Sequence, residues 1–127
     1  MADRIIEVCL KLVTREFIEM PEFIKKWDSF GLSEIEKNEL ENRIMADPMV
    51  GDVIQGTGGL RKMRFALPGK GRSGGIRVCY IDYPETGKTI LITAFRKKEK
   101  ENLSRQELNT LSEIIRLLDR YYGGRNG

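Results

Sequence analysis

The sequence predicts an α+β domain, in which a twisted antiparallel sheet follows an αα hairpin and precedes a closing helix. Two observations predict this class. Strand-forming residues in the middle of the chain occur in three runs joined by short links, which is typical of an antiparallel meander. Capping boxes mark helix starts before and after these runs, at Ser33 with Glu36 and at Ser104 with Glu107. The predicted order is β-α-α-β-β-β-α, with the helices on one face of the sheet.

The elements before the meander begin with a short strand, because residues 16–19 alternate polar with apolar side chains. Pro21 then stands where a first helical position is expected, and Trp27 and Phe30 on the apolar face of that helix are expected in the core. The helix stops at Gly31, and the helix capped by Ser33 ends just before Pro48. The apolar face consists of Phe23, Ile24, Trp27 and Phe30.

The meander follows a glycine-rich connector, residues 51–59, which lacks the Gly-Lys-Ser/Thr of a phosphate-binding P-loop. A basic loop joins the first two predicted strands, and the turn Pro84–Gly87 joins the next pair as a hairpin. The closing helix has one apolar face and ends near Gly123. The three predicted strands are residues 60–67, 76–83 and 89–95.

Length and composition exclude several classes of protein. The 127 residues fit one domain, and no apolar run is long enough to cross a bilayer. The sequence has no histidine, which excludes a Ser-His-Asp triad, a Cys-His pair and a histidine metal site. The two cysteines form neither a disulfide framework nor a zinc-binding spacing. Because the start does not read as a signal peptide, we expect a cytoplasmic protein. We also expect no metal and no cofactor.

The charge is unevenly distributed along the chain. The formal net charge is only +3, yet residues 60–100 hold eleven basic residues and three acidic ones. Residues 1–59 hold seven basic and twelve acidic residues. A basic segment in a nearly neutral protein favours a local anionic partner, with nucleic acid as the leading candidate, although a solvated surface without a partner gives the same pattern.

Two stretches and the basic segment after the last strand resemble one known family. The first is Gly-Asp-Val-Ile-Gln-Gly-Thr-Gly-Gly-Leu-Arg-Lys-Met-Arg-Phe, from Gly51, and the second is Gly-Lys-Gly-Arg-Ser-Gly-Gly-Ile-Arg-Val-Cys-Tyr, from Gly69. In this order they resemble the central signature of RelE/HigB-type toxins, and of the HigB-like branch in particular. The resemblance covers about residues 16–118. We therefore expect a toxin domain over residues 15–122, with an N-terminal extension of unknown role (1–14) and a flexible tail (123–127).

The resemblance implies a microbial-ribonuclease-like fold and an endoribonuclease that cleaves mRNA on translating ribosomes. It also implies a type II toxin–antitoxin pair, in which a helix-turn-helix antitoxin encoded by the adjacent gene silences the toxin. Operator DNA would be contacted only through that antitoxin, and no membrane partner is implied. A non-catalytic RNA-, ribosome- or antitoxin-binding module of the same fold, and a ribonuclease that acts on naked RNA, remain alternatives.

The expected chemistry is attack of an RNA 2′-OH on the adjacent phosphate, which requires stabilisation of the charged phosphorane. Lys62 and Arg64 alternate along one strand and therefore share a face. The resemblance matches Lys62-Met63-Arg64 to the family's substrate-contacting pair, Arg77 to its catalytic arginine, and Lys97 or Lys98 to its second basic residue. The expected catalytic residues are Arg77, Lys98, Arg64 and Lys62. The expected RNA-binding residues are Arg61, Lys70, Arg72, Tyr80 and Lys97.

The general base is left open by the sequence. The family's catalytic tyrosine near the start of the last helix is missing, since residues 102–105 read Asn-Leu-Ser-Arg. The candidates are Lys98, a neighbouring lysine whose pKa is lowered by crowded cations, and Glu99. Tyr80 could act as the acid or as a stacking platform, or could be a half-buried sheet residue.

Overall fold

A computed structural model describes residues 15–66, 75–100 and 102–123. The expected N-terminal extension, the loop residues Lys70 and Arg72, and all but the first residue of the expected tail lie outside the described residues. Within these residues, eight elements follow one another in the predicted order, with one added strand. They are β1 (Glu16–Glu19), α1 (Pro21–Ser29), α2 (Glu34–Ala46), β2 (Asp52–Val53), β3 (Arg61–Phe65), β4 (Ile76–Tyr83), β5 (Lys88–Arg96) and α3 (Arg105–Tyr122).

The strands form one sheet in the order β1-β5-β4-β3-β2. The meander of β3, β4 and β5 is antiparallel, as the sequence predicts. At the edge of the sheet, however, β1 pairs with β5 in parallel, with Glu16 opposite Lys88. A parallel pair needs a long crossover, and the chain provides one because α1, α2 and the meander separate β1 from β5. The fold class is therefore α+β, with a mixed rather than wholly antiparallel sheet.

The helices cover both faces of the sheet, so the expectation that they share one face is wrong. The α1–α2 hairpin packs Phe23, Trp27 and Leu40 against residues such as Val78 of β4. Helix α3 packs Leu111 and Ile115 against the other face. The physical reason is visible along β4, where Ile76, Val78 and Tyr80 face the hairpin and Cys79, Ile81 and Tyr83 face α3. A strand that is apolar on both sides needs a layer on each.

A bulge in β5 keeps both faces apolar to the end of the strand. Cys79 pairs with Thr93 but Tyr80 pairs with Leu91, so Ile92 has no partner across the ladder. One extra residue shifts the alternation of side chains. As a result Ala94 lies on the hairpin side and Phe95 on the α3 side.

Local signals explain where the elements begin and turn. Both predicted capping boxes are present, with the Ser33 and Ser104 hydroxyls each accepting a hydrogen bond from the third helical N–H. Gly87 closes the β4–β5 turn with a φ of 67°, a left-handed conformation that favours glycine. The strand β2 was not predicted, since two residues inside a glycine-rich connector carry no strand pattern.

Candidate functional site

Basic side chains from four separate segments converge on one groove at an end of the sheet. The groove has a volume of about 560 Å³. Five of its lining residues are cationic and one is acidic. Such an excess of positive charge in a concave surface attracts anions. The lining residues are Arg43, Val50, Asp52, Lys62, Met63, Arg64, Arg77, Lys97 and Asn102.

The floor of the groove is formed by β3 and β4. Arg64 lies directly opposite Arg77 in their register, and Lys62 lies opposite Cys79. Residues opposite each other in an antiparallel pair project from the same face, which here is the α3 face. The structure therefore brings together three of the four residues expected to be catalytic, namely Lys62, Arg64 and Arg77.

The turn after β5 forms one wall of the groove and determines which of two adjacent lysines lines it. The Lys97 N–H donates to the Gly75 carbonyl at 3.2 Å, which fixes this turn beside the start of β4. The chain then turns tightly, since the Glu99 N–H donates to the Arg96 carbonyl at 3.1 Å. Lys97 lines the groove and the exposed Lys98 does not. The expected catalytic position of Lys98 is therefore not in the groove.

Glu99, a candidate for the general base, also lies outside this groove. Its carboxylate is 3.6 Å from the Arg96 guanidinium, and it lines a different groove between α1, β5 and α3. The position of Glu99 outside the groove could not be predicted from the sequence, because successive side chains in a tight turn point in different directions.

The opposite wall is the segment before β3, and Arg61 and Tyr80 hold it in place. The Arg61 guanidinium donates to the Gly51 carbonyl at 2.7 Å. The Tyr80 hydroxyl accepts from the Gly51 N–H at 3.0 Å and donates to the Pro48 carbonyl at 2.7 Å. Gly51 has room for no side chain here, since an added Cβ would lie 3.0 Å from the tyrosine ring.

The expected RNA contact by Tyr80 is wrong, because its side chain is fully buried on the hairpin side of the sheet. Burial also raises the pKa of the Tyr80 hydroxyl, so this group is a poor proton donor. Arg61 is not among the groove residues either, because its guanidinium bonds to the backbone of the Pro48–Gly51 segment. Both residues position the wall that carries Val50 and Asp52.

Three polar residues line the groove without having been proposed from the sequence. The Asn102 amide oxygen accepts a hydrogen bond from the Lys62 ammonium at 3.0 Å. Asp52 lies opposite Lys62 in the β2–β3 register. Arg43 reaches the groove from the last turn of α2. The absence of the family's tyrosine from residues 102–105 was a signal that could have led to Asn102. No such signal marked Asp52, in the glycine-rich connector, or Arg43, on the surface of a predicted helix.

Cys79 lies opposite Lys62 in the floor but takes no part in the groove surface. It is fully buried against α3. Burial raises the pKa of its thiol to about 12, so it stays protonated near neutral pH and is a small core residue rather than a nucleophile.

The fold and the groove together define a small α+β protein with a cationic groove. Comparison with known proteins gives the family. The family model described as RelE toxin of the RelE/RelB toxin–antitoxin system matches residues 28–122. The chain belongs to this family of toxins, which implies an antitoxin partner.

A solved structure agrees with the fold. A mutant of the Escherichia coli toxin RelE in the free state superposes with a TM-score of 0.50 at 14% sequence identity. The match covers 78% of this chain and 94% of that one. In the part of the chain that the structure describes, no helix is both long and apolar enough to cross a membrane.

Proposed function

We propose that this toxin is an endoribonuclease that cleaves mRNA on translating ribosomes in the cytoplasm and so stops translation. The observation that carries the proposal is the groove itself, where Arg64 and Arg77 lie opposite each other between Lys62 and Lys97. These cations come from β3, β4 and the turn after β5, and only folding brings them together. RNA offers the repeated phosphate charge that such a groove binds.

The arginine pair suits the charged step of RNA cleavage. When the 2′-OH attacks, negative charge develops on the two non-bridging oxygens of the phosphorane. A guanidinium presents a planar fork of N–H donors that matches two phosphate oxygens. Arg64 and Arg77 on one face can therefore hold the scissile phosphate and stabilise the phosphorane more than the ground state.

The groove also offers groups for the two proton transfers. Asp52 is its one carboxylate and is our candidate for the base that takes the 2′-OH proton. Lys97 is our candidate for the acid that protonates the departing 5′-oxygen, whereas Lys98, a candidate for the base in the sequence, does not line the groove. Lys62, held by Asn102, then binds a non-bridging oxygen beside the arginines. This assignment uses no histidine, as the composition requires.

We further propose that the chain belongs to the HigB-like branch and that its antitoxin is a helix-turn-helix protein encoded by the adjacent gene. The support is the sequence resemblance over the Gly51 and Gly69 stretches together with the family assignment. The antitoxin would silence the toxin, and in the complex only the antitoxin would contact operator DNA.

The test is induction of the protein in cells, followed by primer extension on cellular mRNA. New 5′ ends within codons are expected, together with growth arrest that co-expression of the adjacent gene relieves. Arg77→Ala should abolish both effects, while Arg116→Ala, an exposed arginine on α3 outside the groove, should keep them. Cleavage that persists in a folded Arg77→Ala variant would overturn the site assignment.

Primer extension and an assay on purified transcripts separate the two alternatives. A binding module of this fold would bind ribosomes or RNA without producing new 5′ ends. A ribonuclease that acts on naked RNA would cleave purified transcripts without ribosomes. The groove lies at the surface, with three of its five basic residues exposed and two partly exposed, so we favour a substrate presented in a fixed geometry by the ribosome.

A further inference from the structure

The groove extends beyond the proposed catalytic cations to the end of the hairpin. Arg43 lies in the last turn of α2 and lines the same groove as Arg64 and Arg77. The sequence gives it no sign of function, because the other charged residues of α2 are mainly acidic. Its position brings a cation from the acidic half of the chain to the basic groove.

Contact with an aromatic ring holds the Arg43 guanidinium in place. Its central carbon lies 5.7 Å from the centroid of the Phe65 ring, within the range of a cation–π interaction. Phe65 is the last residue of β3 and is itself buried in the hairpin-side core. An arginine that rests on an aromatic ring keeps the N–H groups at its rim available for hydrogen bonds.

The donors of Arg43 have no acceptor in the described part of the chain. Its side chain forms no hydrogen bond and no ion pair with residues 15–66, 75–100 or 102–123. This differs from Arg61, whose guanidinium bonds to the Gly51 carbonyl, and from Lys62, which bonds to Asn102. Arg43 thus lies against the Phe65 ring, and its donors have no acceptor among the described residues.

The charges on this side of the groove indicate which ligand group Arg43 meets. Between α2 and the floor, the wall consists of Val50 and Asp52. The Val50 side chain has no hydrogen-bond donor, and the Asp52 carboxylate repels phosphate. A phosphodiester chain that crosses this wall is therefore drawn to Arg43.

We propose that Arg43 binds an RNA phosphate next to the scissile one, and so fixes the path of the substrate across the groove. The inference rests on the proposed function, since it assigns a second phosphate site to the same groove. Arg43 acts in binding and orientation, whereas Arg64 and Arg77 act on the reacting phosphate.

The experiment measures how binding of a short single-stranded 2′-O-methyl RNA depends on salt, because this RNA cannot be cleaved. Each phosphate contact adds about 0.7 to the slope of log affinity against log salt concentration for a single strand. Arg43→Ala is expected to lower that slope by about this amount. Arg43→Lys keeps the charge and is expected to keep the slope.

Arg116→Ala is the matched control, since it also removes an exposed arginine from a helix but lies outside the groove. It should leave the slope unchanged. An equal loss in Arg116→Ala would show a general charge effect and overturn the proposal. An equal loss in Arg43→Lys would point to altered folding rather than a lost contact and would overturn it too.

The failure of this inference can be told apart from the failure of the proposed function. If Arg64→Ala lowers the slope and Arg43→Ala does not, only the Arg43 site is wrong. If neither variant lowers it, the groove is not an RNA site and both proposals fall.

Discussion

Arg64 and Arg77 lie directly opposite each other on neighbouring antiparallel strands. Like charges in this position repel, and the groove offers them only one carboxylate, Asp52, among its lining residues. A phosphate placed between them removes the repulsion. The fold therefore tolerates an unfavourable pair in the absence of ligand and gains from it when an anion binds.

The first prediction concerns the stability of this pair. Arg64→Ala should raise the free energy of unfolding by up to about 0.5 kcal/mol at low salt, because it removes the repulsion between the Arg64 and Arg77 charges at the surface. The gain should disappear at high salt, where the charges are screened. Urea unfolding at two salt concentrations measures both values. A loss of stability at low salt would show that Arg64 has a favourable partner instead.

The second prediction uses two adjacent lysines of equal charge. Lys97→Ala should lower the cleavage rate by about 10²-fold or more, since a general acid contributes about 10²–10⁴-fold. Lys98→Ala should retain nearly the parent rate, because Lys98 does not line the groove. Primer extension or a reconstituted ribosome assay gives the rates. The reverse order of the two variants would return the catalytic role to Lys98.

The third prediction separates chemistry from binding at Asp52. Asp52→Asn should lower the cleavage rate by about 10²-fold or more if the carboxylate is the base. It should also bind uncleavable RNA at least as tightly as the parent, because a negative charge is lost from the groove. Asp28→Asn on the exposed side of α1 is the control. Weaker RNA binding by Asp52→Asn would mean that the carboxylate orders the wall rather than taking a proton.

The fourth prediction treats Tyr80 as a structural residue. Tyr80→Phe leaves the Gly51 N–H and the Pro48 carbonyl without their partner and should cost about 1–3 kcal/mol in the free energy of unfolding. Chemical denaturation measures this loss. RNA affinity of the folded variant should change little, and a large drop in affinity at unchanged stability would contradict the structural role.

The fifth prediction concerns pH. Hydrogen bonds from the Lys100 ammonium and the Ser104 N–H lower the pKa of Glu107 from its ordinary value of 4.5. A carboxyl whose pKa is lowered by folding stabilises the fold above its unfolded pKa, and this contribution is lost as the pH falls through the folded value. Stability should therefore decline below about pH 4.5.

Glu107→Gln should remove part of that decline while lowering stability near neutral pH, and urea unfolding across the acidic range measures both. The effect should be modest, because the ion pair with Lys100 is partly exposed to solvent. An unchanged decline in the variant would assign the acid sensitivity to other carboxylates.

The sequence predicted the strands and helices well because each carries a local signal. Alternation marked β3 and the capping serines Ser33 and Ser104 marked helix starts, and both signals act over a few residues. The parallel pairing of β1 and the two-sided helix packing depend on distant parts of the chain. The pattern within one strand, such as β4 with apolar side chains at six of its eight positions, is compatible with one buried face or two until the helices are placed.

The groove was predictable only in part, because some of its features also depend on contacts between distant parts of the chain. Lys62, Arg64 and Arg77 share a face because of strand alternation and register, which the sequence indicates. The choice between Lys97 and Lys98 depends on a turn held by the Gly75 carbonyl. The burial of Tyr80 depends on which side of the sheet the hairpin covers, and neither contact has a signature in the neighbouring residues.

The unpaired Ile92 also limits how this chain can change in evolution. One residue fewer in β5 would restore simple alternation, move Phe95 away from α3 and shift Lys97 relative to Gly75. An insertion or deletion at this point should cost more than a substitution that keeps this buried side chain apolar. The spacing between the β4–β5 turn and the basic turn that follows should therefore be invariant in length among active relatives, even where its residues differ.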